Sequence, residues 1–217
     1  MPNVRHIERS IAYSDHSKPN NWLWSLGLRA AVEAGKSELR THDPDAPDAQ
    51  FLNVYPGEHY RLLAALVRLL DEPLVVEVGT FTGLATSVMH AEGAVVHTFD
   101  ILPWRNFRSH LTQAMFDTGG VTQHLDDLAV PELFDRHYAL LNSADLLFLD
   151  GPKDNYFEHA LMTHLQKLLP KPNRLIVMDD IRLMNMVELW GNLPHPKMDM
   201  TSLGHWSGTG LVDYSQP

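Results

Sequence analysis

The sequence predicts an α/β domain built on a doubly wound, mostly parallel sheet that ends in a C-terminal antiparallel hairpin. Short apolar runs rich in β-branched residues alternate with segments whose apolar residues recur at helical spacing. The first of these runs, 74–79, ends in glycine, as expected of a central parallel strand covered on both faces. A length of 217 residues is enough for one well-buried domain and too short for two ordinary ones.

The N-terminal part is interpreted as an accessory segment. Residues 21–40 have helical composition, and a break rich in Pro and Asp follows them. We therefore expect an N-terminal helical or lid segment over 1–50 and the functional α/β domain over 51–217. Trp22 and Trp24 either line an aromatic lid or pack on the body of the domain.

Strands and helices alternate through the rest of the chain. The apolar stripe over 59–70 predicts an amphipathic helix that leads into the first strand. The elements predicted next are a helix over 82–93, a strand over 94–101, a polar helical stretch up to Gly119, a strand over 121–128, a helix over 131–142, a strand over 144–151, a helix over 156–169 and a strand over 174–180. Two short apolar segments separated by glycines predict the closing hairpin within 201–214.

Composition and charge exclude several classes of function. Lys and Arg number 17 against 27 Asp and Glu, and the net charge of −10 disfavours a nucleic-acid partner. The absence of Cys excludes thiolate metal sites and cysteine nucleophiles. No run approaches the roughly 18 apolar residues of a membrane span, so we expect a cytoplasmic protein without a membrane partner. The 13 His residues show no metal-binding spacing and are expected to be scattered.

Acidic residues mark the carboxyl ends of all five predicted parallel strands. In an open parallel sheet, ligands bind beyond those ends, so chemistry is expected there. The acids are Glu77, Asp100, Asp126, Asp127, Asp150, Asp179 and Asp180. One acid at a strand end is ordinary, but the agreement of five ends indicates a site.

The loop after the first strand contains two glycines. Gly79 and Gly83 permit a tight turn and close approach of the backbone to a ligand. Their spacing is G-x-x-x-G, whereas a nicotinamide fingerprint needs glycine where Phe81 and Leu84 stand, and no triphosphate-binding loop occurs. A loop that brings Glu77 rather than a phosphate cradle to the ligand suits a positively charged cofactor such as S-adenosylmethionine.

Two further acids suit the nucleoside part of such a cofactor. Asp100 stands 21 residues after Gly79, where an acid can accept both ribose hydroxyls; a helix cap or a solvated loop acid is the alternative. Asp127 can accept from the adenine amine, and an ordinary surface turn is the equal alternative. The predicted cofactor contacts are Val54, Glu77, Gly79, Thr80, Gly83, Asp100, Asp127 and Asp150.

A resemblance to a known family is carried by three segments, VVEVGTFTGLAT, FLDGPKDNYFEHAL and LIVMDDI. From about residue 53 to 181 the chain resembles the class I S-adenosylmethionine-dependent O-methyltransferases, specifically the cation-dependent group of the catechol and caffeoyl-CoA enzymes. The resemblance implies a Rossmann-like methyltransferase fold and a homodimer. It also implies that Asp150, Asp179 and Asp180 bind a divalent cation and that Lys153 is the general base; Asp150 and Lys153 are the candidate catalytic residues.

The chemistry of these side chains agrees with that implication. Three neighbouring carboxylates repel one another unless protonated or neutralised, and an all-oxygen site suits Mg²⁺ or Ca²⁺, of which we expect Mg²⁺. Such an ion can chelate two adjacent oxygens of a small molecule and lower the pKa of one. Lys153 can act as a base only as a neutral amine, and the alternative is a solvated loop lysine.

The predicted reaction is methyl transfer from S-adenosylmethionine to a hydroxyl of a small molecule with vicinal oxygens. Asp180 stands where several relatives have Asn, as it also does in enzymes that methylate natural-product sugars, so a sugar hydroxyl is an alternative acceptor. A noncatalytic cofactor-binding module and, more distantly, a nicotinamide oxidoreductase are alternatives of other classes. Weak candidates for substrate contact are His195, His205 and Trp206. Expected to pack in the core or an interface are Met184, Met186 and Leu189.

Overall fold

The computed structural model of the chain describes residues 16–54 and 58–217, and predictions for 1–15 and 55–57 lie outside them. The helices are α1 (Asn21–Lys36), α2 (Tyr60–Leu70), α3 (Leu84–Ala91), α4 (Gln113–Asp117), α5 (Pro131–Arg136), α6 (Tyr138–Ser143), α7 (Phe157–Leu165) and α8 (Met184–Asn192). The strands are β1 (Leu74–Val78), β2 (Val95–Phe99), β3 (Val121–His124), β4 (Leu146–Leu149), β5 (Leu175–Asp179), β6 (Lys197–Asp199) and β7 (Thr209–Asp213). Short 3-10 helices cover Ala49–Asn53, Trp104–Asn106 and Thr201–Leu203. Within the described part of the chain, no helix has the length and apolar character needed to cross a membrane.

The described strands form one sheet in the order β3-β2-β1-β4-β5-β7-β6. The first five pair in parallel, whereas β7 runs antiparallel to both β5 and β6. The strand order reverses between β1 and β4, which is the point where sheets of this kind bind ligands. The predicted doubly wound, mostly parallel sheet with a C-terminal antiparallel hairpin is confirmed.

The hairpin begins earlier than the sequence analysis predicted. Its first strand is β6, which precedes the predicted segment 201–214. This strand has three residues, and Lys197 among them is buried, so no alternation of apolar and polar residues reveals it. A chain connection with a short 3-10 helix, rather than a tight turn, joins it to β7.

Both faces of the sheet are buried, which explains the nearly uninterrupted apolar runs of the central strands. On one face, Val75 and Leu146 pack with residues of α1 and α2. On the other face, their chain neighbours Val76 and Leu147 pack with residues of α7 and α8. Successive residues of one strand therefore serve two separate hydrophobic layers, as expected of a parallel sheet between two layers of helices.

Helix α1 belongs to the main core rather than to a separate extension. Leu23 is fully buried in the same cluster as α2 and the sheet, and the backbone of Lys18 pairs with that of Lys197. Trp22 packs against this cluster near the amino ends of β4 and β5, on the side opposite the acidic strand ends. Of the two alternatives predicted for Trp22, the structure therefore shows packing on the body of the domain. A lid role for the segment 1–50 stays a prediction.

The helices differ from the predictions at three places. The polar helical stretch predicted up to Gly119 is helical only in the 3-10 helix Trp104–Asn106 and in α4. The predicted helix over 131–142 is divided at His137 into α5 and α6. Helix α8 was not predicted, although its buried residues Met186 and Leu189 recur at helical spacing. Met186 and Leu189 lie in the core as expected, whereas Met184 is 92% exposed and does not.

Candidate active site

A cavity of about 600 Å³ opens beyond the carboxyl ends of β1, β2, β3 and β4. It lies at the switch point between β1 and β4, and its volume is in the range of small-molecule sites. Its walls combine aromatic and aliphatic side chains with several carboxylates. Among the predicted cofactor contacts, those that line the cavity are Gly79, Asp100, Asp127 and Asp150.

Two of these acids are oriented by backbone hydrogen bonds. Asp100 accepts the N–H of Phe81 at 2.9 Å and that of Leu102 at 3.0 Å, and it thereby ties the glycine loop to the loop after β2. Asp127 accepts the N–H of Ala129 at 2.8 Å. Because each carboxylate oxygen has a second lone pair, these bonds fix the side chains without using up their capacity to accept from a ligand.

The glycine loop is shaped by contacts within the protein. Gly79 has a φ of 103°, and a side chain at this position would collide with the backbone carbonyl oxygen of Asp150. Gly83 has a φ of 75°, and a side chain there would collide with Leu111. Thr80 is buried and exchanges a hydrogen bond of 2.7 Å with a threonine hydroxyl of β2. Gly83 and Thr80 therefore support the loop from behind rather than line the cavity.

The remaining predicted contacts also lie outside the cavity wall. Glu77 is fully buried and accepts a hydrogen bond from the Thr86 hydroxyl. Burial raises the pKa of Glu77 to about 8, although that hydrogen bond opposes the shift, so the carboxyl is mostly protonated near neutral pH. Val54 is exposed just after the 3-10 helix Ala49–Asn53. A cofactor contact by Glu77 or Val54 stays a prediction.

The three predicted metal ligands converge on one ammonium group. Lys153 Nζ donates to Asp150 Oδ1 and lies 3.9 Å from Asp179 Oδ2 and 3.3 Å from Asp180 Oδ2. The acids come from the ends of β4 and β5, which pair in parallel, so the topology itself gathers them. The structure brings these four side chains together, and their roles in metal binding and catalysis stay predictions.

The charges in this cluster depend on one another. Although burial favours its neutral form, the carboxylates of Asp150 and Asp179 raise the pKa of Lys153 well above its usual range. Burial, reinforced by the charge of Asp179, raises the pKa of Asp150 to about 6. At Asp180, burial alone would raise the pKa, but hydrogen bonds, of which the one from His205 contributes most, lower it. Lys153 is therefore a charged counter-ion of the carboxylates.

Two histidines and a glutamate complete the cluster; the sequence analysis named only one of them, His205, and only as a weak candidate for substrate contact. His205 Nδ1 lies 3.3 Å from Asp180 Oδ1 and 3.6 Å from Asp179 Oδ1, and its Nε2 lies 3.1 Å from Glu58 Oε2. His59 Nδ1 lies 3.4 Å from Asp179 Oδ1. Against the effect of burial, hydrogen bonds to Asp180 and Glu58 raise the pKa of His205 to about 10, and the charge of Asp179 raises the pKa of His59.

The antiparallel edge of the sheet explains why His205 reaches the site. Strand β7 pairs with β5 so that Thr209 lies opposite Asp179, and the amino end of β7 therefore meets the carboxyl end of β5. The residues just before β7, among them His205, are thereby placed beside the acids. A predicted hairpin next to a strand that ends in two acids was the signal that could have assigned His205 to the site. His59 was interpreted only as the first residue of an amphipathic helix.

The cluster offers the ligand atoms that a divalent cation needs. Three groups have ligand atoms within 4.8 Å of one another: Glu58 with His59 and His205, His59 with Asp150 and Asp179, and Asp179 with Asp180 and His205. Asp179 Oδ1 and both ring nitrogens of His59 are buried without a hydrogen-bond partner among the described residues. Carboxylate and imidazole groups with such unused atoms fit a bound cation.

Comparison by sequence finds no matching protein-family model and no matching curated protein. Among solved structures, the apo structure of CalS11, a TDP-rhamnose 3'-O-methyltransferase of calicheamicin biosynthesis, is 14% identical; the match covers 89% of this chain and 95% of that chain with a TM-score of 0.53. TomG, an O-methyltransferase from Streptomyces achromogenes involved in tomaymycin synthesis, is 16% identical over 91% of each chain, with a TM-score of 0.47.

The S-adenosylmethionine-dependent methyltransferase NGO1261 from Neisseria gonorrhoeae is 18% identical; the match covers 83% of this chain and 77% of that chain with a TM-score of 0.48. At 14% identity, the likeness to CalS11 bears on the fold alone. The likeness to CalS11 agrees with the strand order and with the position of the cavity at the switch point. The chain therefore has the Rossmann-like fold of the class I S-adenosylmethionine-dependent methyltransferases.

Proposed function

We propose that the chain is an S-adenosylmethionine-dependent O-methyltransferase that methylates a hydroxyl of a small molecule with adjacent oxygens, assisted by a divalent cation in the acidic cluster. The position of Asp150 supports this proposal above all. Asp150 lines the cavity and also accepts the hydrogen bond of Lys153 within the cluster. A cofactor in the cavity and an acceptor at the cluster would meet there, as methyl transfer requires.

The cavity suits the proposed cofactor. S-adenosylmethionine, when bound, supplies a methyl group on a positively charged sulfur. Asp100 is assigned to the ribose hydroxyls and Asp127 to the adenine amine, because both line the cavity and are already oriented by backbone N–H groups. Predicted contacts that do not line the cavity are Val54, Glu77, Thr80 and Gly83. Gly79, which does line it, lets β1 and β4 approach at the cavity floor.

The acidic cluster suits the proposed cation. A divalent cation, when bound, supplies a Lewis acid that lowers the pKa of a coordinated hydroxyl. The carboxylate ligands are assigned to Asp150, Asp179 and Asp180, and an all-oxygen set of this kind suits Mg²⁺. Asp179 fits this role because it is 4% exposed and its Oδ1 has no hydrogen-bond partner among the described residues.

Lys153 is the proposed general base, but its surroundings set a condition. An amine accepts a proton only when it is neutral, and Asp150 and Asp179 favour the charged form. Lys153 can therefore serve as a base only when the charge of these carboxylates is neutralised by another group. In the arrangement that the structure describes, its ammonium orients Asp150 and Asp180.

A second candidate acceptor is a sugar hydroxyl of a natural product. CalS11, which shares the fold, is named a TDP-rhamnose 3'-O-methyltransferase. Neighbouring sugar hydroxyls present two adjacent oxygens, as a catechol does, so the same cluster can hold either. Trp206 is 73% exposed beside His205 and offers an apolar surface to either kind of ring.

Labelled-cofactor transfer assays test the proposal. Product formation from isotope-labelled S-adenosylmethionine is measured with catechols, flavonoids and sugar-bearing natural products, with and without Mg²⁺. We expect S-adenosylmethionine to raise the melting temperature, and we expect at least one acceptor to be methylated until a chelator is added. Asp179→Asn should lower turnover by at least about 10-fold and keep the thermal shift. Asp135→Asn is the matched control, since Asp135 is exposed on α5 and pairs with Lys167.

The alternatives predict different results in the same assays. A thermal shift without product under any condition would support a noncatalytic cofactor-binding module. A thermal shift with NAD in place of S-adenosylmethionine would support the oxidoreductase. Equal activity of the Asp179 and Asp135 variants would contradict the assignment of the cation site.

A further inference from the structure

We propose that His205 is a ligand of the cation, coordinating through Nδ1 beside Asp179 and Asp180, and that the site prefers a first-row transition metal such as Mn²⁺ or Co²⁺ to Mg²⁺. The inference rests on the proposed function for the presence of a cation, and it changes both the identity of the cation and its ligands, since His205 takes the place assigned above to Asp150. Each of the three close ligand groups within residues 16–54 and 58–217 contains a histidine. The donor set is therefore mixed, whereas the sequence predicted oxygen alone.

The spacing of the atoms matches the edges of a coordination shell. With metal–ligand bonds of about 2.1 Å, neighbouring ligands lie about 3.0 Å apart in an octahedron and about 3.4 Å apart in a tetrahedron. His205 Nδ1 lies 3.3 Å from Asp180 Oδ1 and 3.6 Å from Asp179 Oδ1. An ion can therefore be placed between these three atoms with small adjustments of the side chains.

A buried carboxylate oxygen points into this space without a hydrogen bond. Asp179 is 4% exposed, and its Oδ1 has no hydrogen-bond partner among the described residues. The imidazoles of His205 and His59 approach it at 3.6 Å and 3.4 Å, which is long for an N–H···O bond. Because a buried carboxylate oxygen without a hydrogen bond is costly, this atom has a lone pair that a metal ion could use in addition to the two more distant imidazoles.

The second ring nitrogen of His205, Nε2, contacts a carboxylate, as the second nitrogen of a metal-binding histidine commonly does. Its Nε2 lies 3.1 Å from Glu58 Oε2, and Glu58 is itself buried. A metal-binding imidazole commonly donates its second N–H to a carboxylate, which fixes the tautomer and directs the lone pair of the other nitrogen to the metal. Coordination through Nδ1 would replace the proton that this nitrogen carries in the charged imidazolium and release it to solvent. On the Nδ1 side, the Ser207 hydroxyl contacts both Nδ1 and Asp180 Oδ1 and borders the same space.

The two aspartates present different oxygens to Lys153 and to His205. Their Oδ2 atoms face the ammonium, at 3.9 Å for Asp179 and 3.3 Å for Asp180, whereas their Oδ1 atoms face the imidazole. An ion on the Oδ1 side leaves the Lys153 ammonium in place. An ion at the centre of Asp150, Asp179 and Asp180 would have to displace it.

An imidazole ligand changes which metals are favoured. Imidazole binds first-row transition metals well, whereas Mg²⁺ prefers oxygen ligands and gains little from nitrogen. Affinity in such a mixed site rises from Mn²⁺ to Co²⁺ in the usual order of divalent metals. The loss of His205 should therefore weaken Co²⁺ binding far more than Mg²⁺ binding.

Spin-echo spectroscopy of bound Mn²⁺ tests this directly and needs neither cofactor nor turnover. We expect a ¹⁴N modulation from a coordinated imidazole in the wild type, lost in His205→Gln and kept in His59→Gln. His90→Gln, at the C-terminal end of α3, is the matched control and should keep it. Calorimetry should show Co²⁺ affinity reduced by at least about 10-fold in His205→Gln, and Mg²⁺ affinity by less than about 3-fold.

The outcomes separate this inference from the proposed function. A modulation that persists in His205→Gln, a modulation lost only in His59→Gln, or no Mn²⁺ binding at all would overturn the inference. Methyl transfer supported by Mg²⁺ without a nitrogen ligand would overturn it and leave the proposed function standing. A nitrogen-bound metal in a protein that methylates no acceptor would support the inference while the proposed function fails.

Discussion

Replacing Glu77 by glutamine should remove a large pH dependence from the stability of the protein. Glu77 is fully buried, and its pKa is raised from the usual 4.5 to about 8, chiefly by burial. The folded chain therefore keeps a proton that the unfolded chain releases. Since the folded state binds more protons, the free energy of unfolding falls as pH rises through the interval between these two pKa values.

The expected magnitude follows from the pKa difference. Each pKa unit corresponds to about 1.36 kcal/mol, so the contribution of Glu77 falls by about 3 kcal/mol between pH 5 and pH 7.5. The variant keeps the Thr86 hydroxyl bonded to its amide oxygen, while its amide nitrogen stands near the unpartnered position of Glu77 Oε1. The effect of this amide nitrogen does not depend on pH, so it changes the free energy of unfolding of the variant by the same amount at every pH.

Urea denaturation of both proteins at several pH values isolates the effect. The quantity compared is the free energy of unfolding of the wild type minus that of Glu77→Gln, because titration of the other groups cancels in the difference. This difference should fall by about 3 kcal/mol from pH 5 to pH 7.5. A flat difference, or one that rises with pH, would refute the reasoning, and would show that Glu77 carries a negative charge to offer a cationic cofactor.

Two further predictions concern stability. Gly79→Ala should lower the free energy of unfolding by about 3 kcal/mol or more, because φ is 103° and a Cβ would strike the Asp150 carbonyl oxygen. The control is Gly35→Ala, at an exposed helical position with open space, which should raise the free energy of unfolding by about 0.5 kcal/mol in the same denaturation series. Equal effects of the two substitutions would contradict the steric argument. Lys197→Met should cost about 2–4 kcal/mol, because the buried ammonium donates to three carbonyls at the C-terminal end of α8; a variant as stable as the wild type would show that these bonds contribute nothing net.

The parallel half of the fold could be predicted because each strand carries its own signal. The runs around Val75 and Leu146 are apolar on both faces, and each run ends at the edge where acids follow. Asp150 and Asp179 could therefore be expected to meet before any coordinates were known. Parallel neighbours in one sheet bring their carboxyl ends to the same edge, so this step needs no knowledge of side-chain packing.

The antiparallel half could not be predicted in the same way. Strand β6 is too short to show a period, and its Lys197 is a residue type that is rarely buried. The place of β7 between β5 and β6 sets the position of His205, and pairing between strands distant in sequence leaves no mark on local composition. For His59, the predicted helix was correct, but the pattern of apolar residues gives no indication that the residue just before α2 lies close to Asp179.

The pair Asp179-Asp180 illustrates how backbone conformation decides what a sequence motif can do. Successive residues of a strand point to opposite faces, so two adjacent acids should not reach the same partners. Asp180 has a φ of 59°, in the left-handed region that aspartate and asparagine tolerate better than most residues. This turn at the end of β5 lets both carboxylates approach Lys153 on one side and His205 on the other. Strand β5 pairs in parallel with β4 and antiparallel with β7, so at this turn the two halves of the sheet jointly build the cluster.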